Sequence, residues 1–169
     1  MKRPWALLLI LLGSLIFLTA LGLGYLSRPQ TTNLAEALPE SLVGKNLVQH
    51  IDGQDALDEI ARLHKQQFDL ISGDIGVYGR PTEVIIWIMS ASSELLAQKM
   101  VEDMEVRIAE LESPFRPAGT LEYDRRKIYI SDGMGQIHYY FRSGSRVVWI
   151  SCSQSLAERA LQEVLSFYP

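Results

Sequence analysis

The feature that most constrains this chain is an uninterrupted apolar run at residues 5–26, which contains no charged side chain. At ~1.5 Å per residue the run makes roughly 33 Å of helix, enough to cross the ~30 Å hydrocarbon core of a bilayer. A cleaved secretory signal has a shorter apolar region of about 7–15 residues. The run therefore predicts a transmembrane signal anchor with the lipid bilayer as its partner, and a cleaved signal peptide is the alternative.

Positive charge predicts the orientation of this segment. Lys2 and Arg3 precede the run, whereas Arg28 alone follows it closely. Because cytoplasmic flanks carry the excess of Lys and Arg, residues 1–4 are expected to form a cytoplasmic tail. The predicted localisation is thus the cell membrane, with a single pass and an extracytoplasmic carboxy-terminal part.

The rest of the chain is expected to form a linker at residues 27–40 and one domain at residues 41–169. The linker holds two prolines and a polar middle, which favour irregular chain, and it reaches ~40 Å at most. Beyond residue 29 lie 13 basic and 20 acidic residues, a net charge of −7, which argues against a nucleic-acid partner. Cys152 is the only cysteine, so a disulfide framework is excluded.

Apolar periodicity alternates between the strand and helix types along the domain. It predicts strands at residues 44–49, 68–78, 83–90, 120–123, 127–131, 136–142 and 146–152, with helices at 54–67, after residue 92 and after residue 155. Residues 84–89 are apolar on both alternations, which is typical of a central strand covered on both faces. The expected fold class is α+β: a two-layer domain with an antiparallel sheet of about five or six strands and two or three helices packed on it.

Two segments resemble each other. Residues 84–93 and 146–155 each contain a hydrophobic strand with a central Trp, then a serine-rich turn, and each is followed by an amphipathic helix. This similarity is consistent with tandem strand-strand-helix units, or with convergence on a common buried-strand pattern.

One strand carries a polar and aromatic row. Period two places Gln136, His138, Tyr140 and Arg142 on one face of the predicted strand at 136–142. Such a row forms either a shallow ligand-binding surface or an ordinary solvent-facing sheet with cross-strand pairs. These four residues are the predicted ligand-binding residues.

Other reactive residue types have simpler interpretations. His64 falls on the apolar stripe of the first helix, where a buried histidine is common, and His50 and Asp52 flank a turn. Cys152 alternates with Val148 and Ile150, which favours a buried thiol over a nucleophile. No phosphate loop, dinucleotide glycine pattern or zinc-hydrolase motif is present, so neither a metal nor a cofactor is expected.

These observations predict a membrane-anchored extracytoplasmic binding module rather than an enzyme. The expected partner is a protein, such as another membrane protein, or a ligand close to the bilayer. The alternative is a small metal-binding or hydrolytic domain that uses His64 or His138 with nearby carboxylates.

Overall fold

The computed structural model describes residues 38–64, 70–80, 83–110 and 113–169, with the backbone alone of residues 63 and 64. These residues form one antiparallel sheet and three helices, which confirms the α+β class. The strands are β1 (Ser41–Leu42), β2 (Lys45–Asp52), β3 (Leu70–Tyr78), β4 (Val84–Ala91), β5 (Arg116–Tyr123), β6 (Arg126–Gly133), β7 (Gln136–Ser143) and β8 (Arg146–Cys152). The helices are α1 (Gly53–His64), α2 (Glu94–Ala109) and α3 (Ala157–Phe167).

The sheet has eight strands, so the expected five or six is too few. The seven predicted strand segments overlap β2–β8, and of the eight described strands only β1, which contains two residues, had no predicted segment. β5 starts four residues before the predicted segment at 120–123 and is exposed at nearly every position. β5 also begins at Arg116 and includes Pro117, a residue that an edge strand tolerates because one side of its backbone has no partner strand.

The strand order is β1-β2-β3-β4-β8-β7-β6-β5. The last four strands form a meander whose turns contain two residues each, closed by the pairs Tyr123 with Arg126, Gly133 with Gln136 and Ser143 with Arg146. At the first two turns the loop residues have positive φ, as the type I′ geometry of tight hairpins requires. β4 pairs with β8 and so joins the two halves of the sheet.

Helices cover both faces of the sheet, so the domain has three layers where two were expected. On β8, Val147 and Trp149 belong to the apolar cluster that contains residues of α1 and α2, whereas Val148 and Ile150 belong to the cluster that contains residues of α3. The apolar residues of β4 divide between the same two clusters. The composition of β4 predicted burial on both faces, but it contains no information about which helix covers which face.

The two similar segments correspond to β4 with α2 and to β8 with α3. Trp87 and Trp149 occupy equivalent positions and lie directly opposite each other in the sheet. The two helices nevertheless pack on opposite faces. The likeness is therefore confined to the strands and their serine-rich turns, and duplication stays a prediction.

The beginning of the described chain packs against the domain. Leu38 is buried against Gly76, and the hydroxyl of Tyr78 donates to the carbonyl of Pro39 at 2.9 Å. Among the described residues, no helix combines the length and the hydropathy that a membrane crossing needs. The predicted tail, the span at residues 5–26 and most of the predicted linker lie outside the described residues.

Candidate functional site

Aromatic rings form a column across the centre of the meander. Tyr129, Tyr140 and Trp149 lie on β6, β7 and β8, with ring centroids 4.9 Å and 5.0 Å apart and ring planes within 12° of parallel. All three belong to the core beneath α1 and α2. Offset stacking of this kind adds about 0.5–1.5 kcal/mol per pair beyond the burial of the rings. The column therefore fixes the register of these three strands.

His138 is fixed between two hydrogen bonds. The indole Nε1 of Trp149 donates to its Nδ1 at 3.1 Å, and its Nε2 lies 3.0 Å from the carbonyl oxygen of Gly133. Since Nδ1 accepts, Nε2 must carry the proton and donate. Burial lowers the pKa of His138, and this effect outweighs the opposing influences of the Gly133 carbonyl and the Asp132 charge. His138 is therefore a neutral imidazole with both ring nitrogens already engaged.

Phe115 covers this histidine from the segment that leads into β5. Its ring centroid lies 4.7 Å from that of His138 and 5.1 Å from that of Trp149. A β-carbon at Gly133 would overlap the Phe115 ring, so glycine is required there for the close approach. The serine hydroxyl of Ser113 fixes the turn, because it accepts a hydrogen bond from the Phe115 amide at 3.3 Å.

Two serines lie on either side of His138 in the same cross-strand row. Ser131 on β6 and Ser151 on β8 are its direct neighbours in the sheet. Both hydroxyls are buried without a hydrogen-bond partner, and His138 is only 3% exposed. The row is thus sealed from solvent, and its hydroxyls have no base available, because both nitrogens of His138 are occupied.

The four predicted ligand-binding residues have different environments. His138 and Tyr140 are buried, whereas Gln136 and Arg142 are half-buried near the two ends of β7. Arg142 contacts the carboxylate of Glu94 at 3.1 Å and donates to a turn carbonyl. The four side chains therefore do not line one open surface, because Phe115 and α2 cover the middle of the row. Ligand binding by these residues stays a prediction.

The remaining candidates are His50, His64 and Cys152. His50 pairs with Asp74 at 3.0 Å at a half-exposed position, and the side chain of His64 lies outside the described residues. Burial raises the pKa of the Cys152 thiol to about 11, which disfavours the thiolate that a nucleophile needs. Within the described ranges, no three His, Cys, Asp or Glu side chains converge as metal ligands.

The strand predicted at residues 120–123 is part of β5, and its free edge is a feature that the sequence did not predict. This strand pairs with β6 and, among the described residues, has no strand on its other side. Tyr123 and Arg126 close a two-residue turn and form a hydrogen-bonded pair, so the alternation makes Leu121 bond to β6 as well. The amide and carbonyl groups of Thr120 and Glu122 consequently point away from the sheet.

The side chains along β5 leave this edge accessible. Seven of its eight residues are exposed, and Tyr123 has half of its surface in solvent. The register shifts between Pro117 and Gly119, so Ala118 has no partner on β6. Gly119 has φ of 135° and open space where a β-carbon would be. A proline and a bulge protect the beginning of the edge, whereas residues 120–123 pair with β6 without a register shift.

The opposite edge of the sheet is partly covered. β1 pairs with Lys45 and Asn46 at the start of β2, and the amide of Leu47 donates to the carbonyl of Glu40 at 2.9 Å. The carboxylate of Glu163 on α3 accepts from the Val43 amide at 2.6 Å and fixes the β1–β2 turn.

Comparison of the chain with protein-family models, curated proteins and solved structures finds no match.

Proposed function

We propose that this protein is a single-pass, membrane-anchored extracytoplasmic module that binds an extended segment of a protein partner along β5. Residues 5–26 provide the anchor, and the amino terminus lies in the cytoplasm. The observation that carries the binding proposal is the free edge of β5, an eight-residue strand with outward backbone groups at Thr120 and Glu122. A short tether keeps such a module close to the bilayer.

An added strand would obtain affinity from the main chain and specificity from side chains. Thr120 and Glu122 together present two N–H donors and two C=O acceptors, which a neighbouring strand can satisfy. Tyr123 adds a half-exposed ring, a residue type that is enriched at the centres of protein interfaces. Each net hydrogen bond contributes about 0.5–1.5 kcal/mol. Four therefore contribute about 2–6 kcal/mol, which is a weak affinity, so side-chain contacts must supply the rest.

The reactive side chains are already hydrogen bonded or buried, which supports binding over catalysis. Both nitrogens of His138 are hydrogen bonded, and the thiol of Cys152 is buried with a raised pKa. A general base must be free to accept a proton from its substrate. In the described part of the chain, β5 instead offers unused hydrogen-bonding capacity at the surface.

The binding proposal is tested by removing one outward donor without changing the fold. In the full-length protein in membranes, a photoreactive amino acid replaces Glu122, and crosslinked products are compared between Thr120→Pro and Thr120→Val backgrounds. Proline removes the outward N–H, whereas valine keeps it and fits a strand. We expect the product to form in the valine background and to fall at least tenfold in the proline background.

A matched control position excludes non-specific capture. The same photoreactive residue at Leu95, 76% exposed on α2, should give products that do not respond to the change at Thr120. Equal crosslinking at Glu122 in the two backgrounds would refute strand addition at β5. Separately, a reporter fused after Pro169 should be active only outside the cytoplasm, and cytoplasmic activity would overturn the topology.

A further inference from the structure

We propose that the space beside His138 that the Phe115 ring now fills is a binding site for a small, neutral aromatic molecule that carries a hydroxyl group. The site is separate from the free edge of β5 and does not depend on the function proposed for that edge. Its polar residues are Ser131, His138 and Ser151, which are neighbours on three adjacent strands. Trp149 contributes an apolar wall, and Phe115 is the cover.

The two serine hydroxyls lack the partners that buried hydroxyls normally have. Ser131 is 0% exposed and Ser151 is 1% exposed, and neither Oγ has a hydrogen-bond partner. Most buried polar atoms of side chains are hydrogen bonded, because leaving one unsatisfied costs free energy. His138 lies between the serines but cannot serve them, since both of its nitrogens are engaged. The two hydroxyls therefore point to a ligand that supplies a hydrogen-bonding group.

The covering ring satisfies only the apolar half of this site. Phe115 packs edge-on against the imidazole of His138, with centroids 4.7 Å apart, and is tilted against Trp149 at 5.1 Å. A phenyl ring has no hydrogen-bonding group, so it excludes water from the serines without pairing with them. A phenol-type ring can make the same ring contacts, and its hydroxyl can also donate to a serine or accept from one.

The cross-strand row favours a ligand without charge. Across six strands the row contains Pro117, Ser131, His138, Ser151, Ile85 and Val77. None of these six residues carries a formal charge, because the hydrogen bond from Trp149 requires an unprotonated Nδ1 on His138. The neighbouring Asp132 is exposed to solvent. A charged ligand in the row would be buried without a counter-ion, which is strongly unfavourable.

The side of the site towards β4 is partly open. Ile85 lies directly opposite Ser151, and Trp87 lies directly opposite Trp149. Both side chains are half-buried, whereas Met89 on the same face of β4 is 2% exposed. Solvent therefore reaches the sheet face one strand away from Ser151. Ile85 and Trp87 provide an apolar surface along which an aromatic molecule can approach the serines.

The position of Phe115 allows its ring to leave while the sheet stays intact. Phe115 precedes the first β5–β6 pair, Arg116 with Asp132, and its side chain is half-buried. Its amide is held within its own turn by the hydroxyl of Ser113 at 3.3 Å. Rotation about the side-chain torsions moves the ring without breaking this hydrogen bond or the strand pairing. The ligand thus competes with Phe115 for the same contacts.

Phenol and toluene are matched probes, because they have nearly the same shape and only phenol carries a hydroxyl. In isotopically labelled, full-length protein in detergent, the indole N–H resonance of Trp149 reports on the site, since this group donates to His138 and its ring contacts Phe115. Phenol should shift this resonance saturably and bind at least fivefold more tightly than toluene. This preference should disappear when Ser131→Ala and Ser151→Ala are combined. Ser143→Ala, at a buried serine near the opposite end of β7, should keep it.

Competition with Phe115 provides the second measurement. Phe115→Ala should raise the affinity for phenol at least fivefold, because the ring no longer occupies the site. If the unsubstituted protein shows no saturable shift, the inference is wrong even when Phe115→Ala binds phenol, since that variant then contains only an engineered cavity. Equal phenol affinity with and without the two serine hydroxyls would also overturn the inference.

Discussion

His138 should make the stability of this domain depend on pH in a defined direction. Burial lowers its pKa in the folded protein below the unperturbed value of about 6.5, which applies to the unfolded chain. As the pH falls, the unfolded chain therefore binds a proton first. The stabilising contribution of the neutral imidazole is complete above pH ~6.5 and is lost as the pH falls towards the folded pKa.

The upper limit of the effect follows from the proton that the unfolded chain gains while the folded state stays neutral. Protonation would place a second hydrogen on Nδ1, directly opposite the indole N–H of Trp149 at 3.1 Å. If the folded state resists protonation throughout, lowering the pH from 7.5 to 5.5 costs about 1.4 kcal/mol of unfolding free energy, because the unfolded histidine gains almost a full proton. A smaller loss would indicate a folded pKa within this interval.

Urea unfolding followed by tryptophan fluorescence at several pH values measures this effect in detergent-solubilised protein. His138→Asn keeps an acceptor for the indole of Trp149 but does not titrate, so its stability should fall by about 1.4 kcal/mol less over the same interval. His50→Asn is the matched control and should keep the pH dependence of the unsubstituted protein. Equal pH dependence in His138→Asn and the unsubstituted protein would refute the reasoning.

Three further predictions concern two serine hydroxyls and one turn. Ser131→Ala should raise the unfolding free energy by up to about 1 kcal/mol, because its hydroxyl is buried without a partner, whereas Ser143→Ala should lower it by about 1 kcal/mol through loss of the 2.5 Å bond to the Pro169 carbonyl. A decrease in the unfolding free energy of Ser131→Ala in urea titrations would contradict this. Met134→Asn should raise the melting temperature, with a gain of about 0.5–1 kcal/mol, because Met134 has φ of 53° and is 79% exposed; calorimetry showing a decrease would contradict it.

The central strands were predictable because their composition directly reflects burial. Residues 84–89 are apolar on both alternations, and β4 indeed lies between β3 and β8 with helices on both sides. The turns were less predictable. Asp132 and Gly133 have the composition of a hairpin turn, yet the turn lies at Met134 and Gly135, since packing of Phe115 against Gly133 keeps that residue within β6.

The environment of His138 could not be predicted from its own strand. Period two correctly placed it on one face with Tyr140, but the atoms that bury the row come from Phe115 and α2, which are distant in sequence. The segment at 120–123 was predicted as a strand, but its place at the edge of the sheet was not. Strand order depends on which strands pair, and the composition of β5 carries no information about that.

The order of strands in the sheet also has a consequence for folding. β5 to β8 are consecutive and joined by two-residue turns, so each of their pairings closes a short loop at small entropic cost. β4 meets β8 across a much longer stretch of chain, with Val84 opposite Cys152. The meander can therefore form early in folding. We expect the pairing of β4 with β8 to be the slow step by which the two halves of the sheet come together.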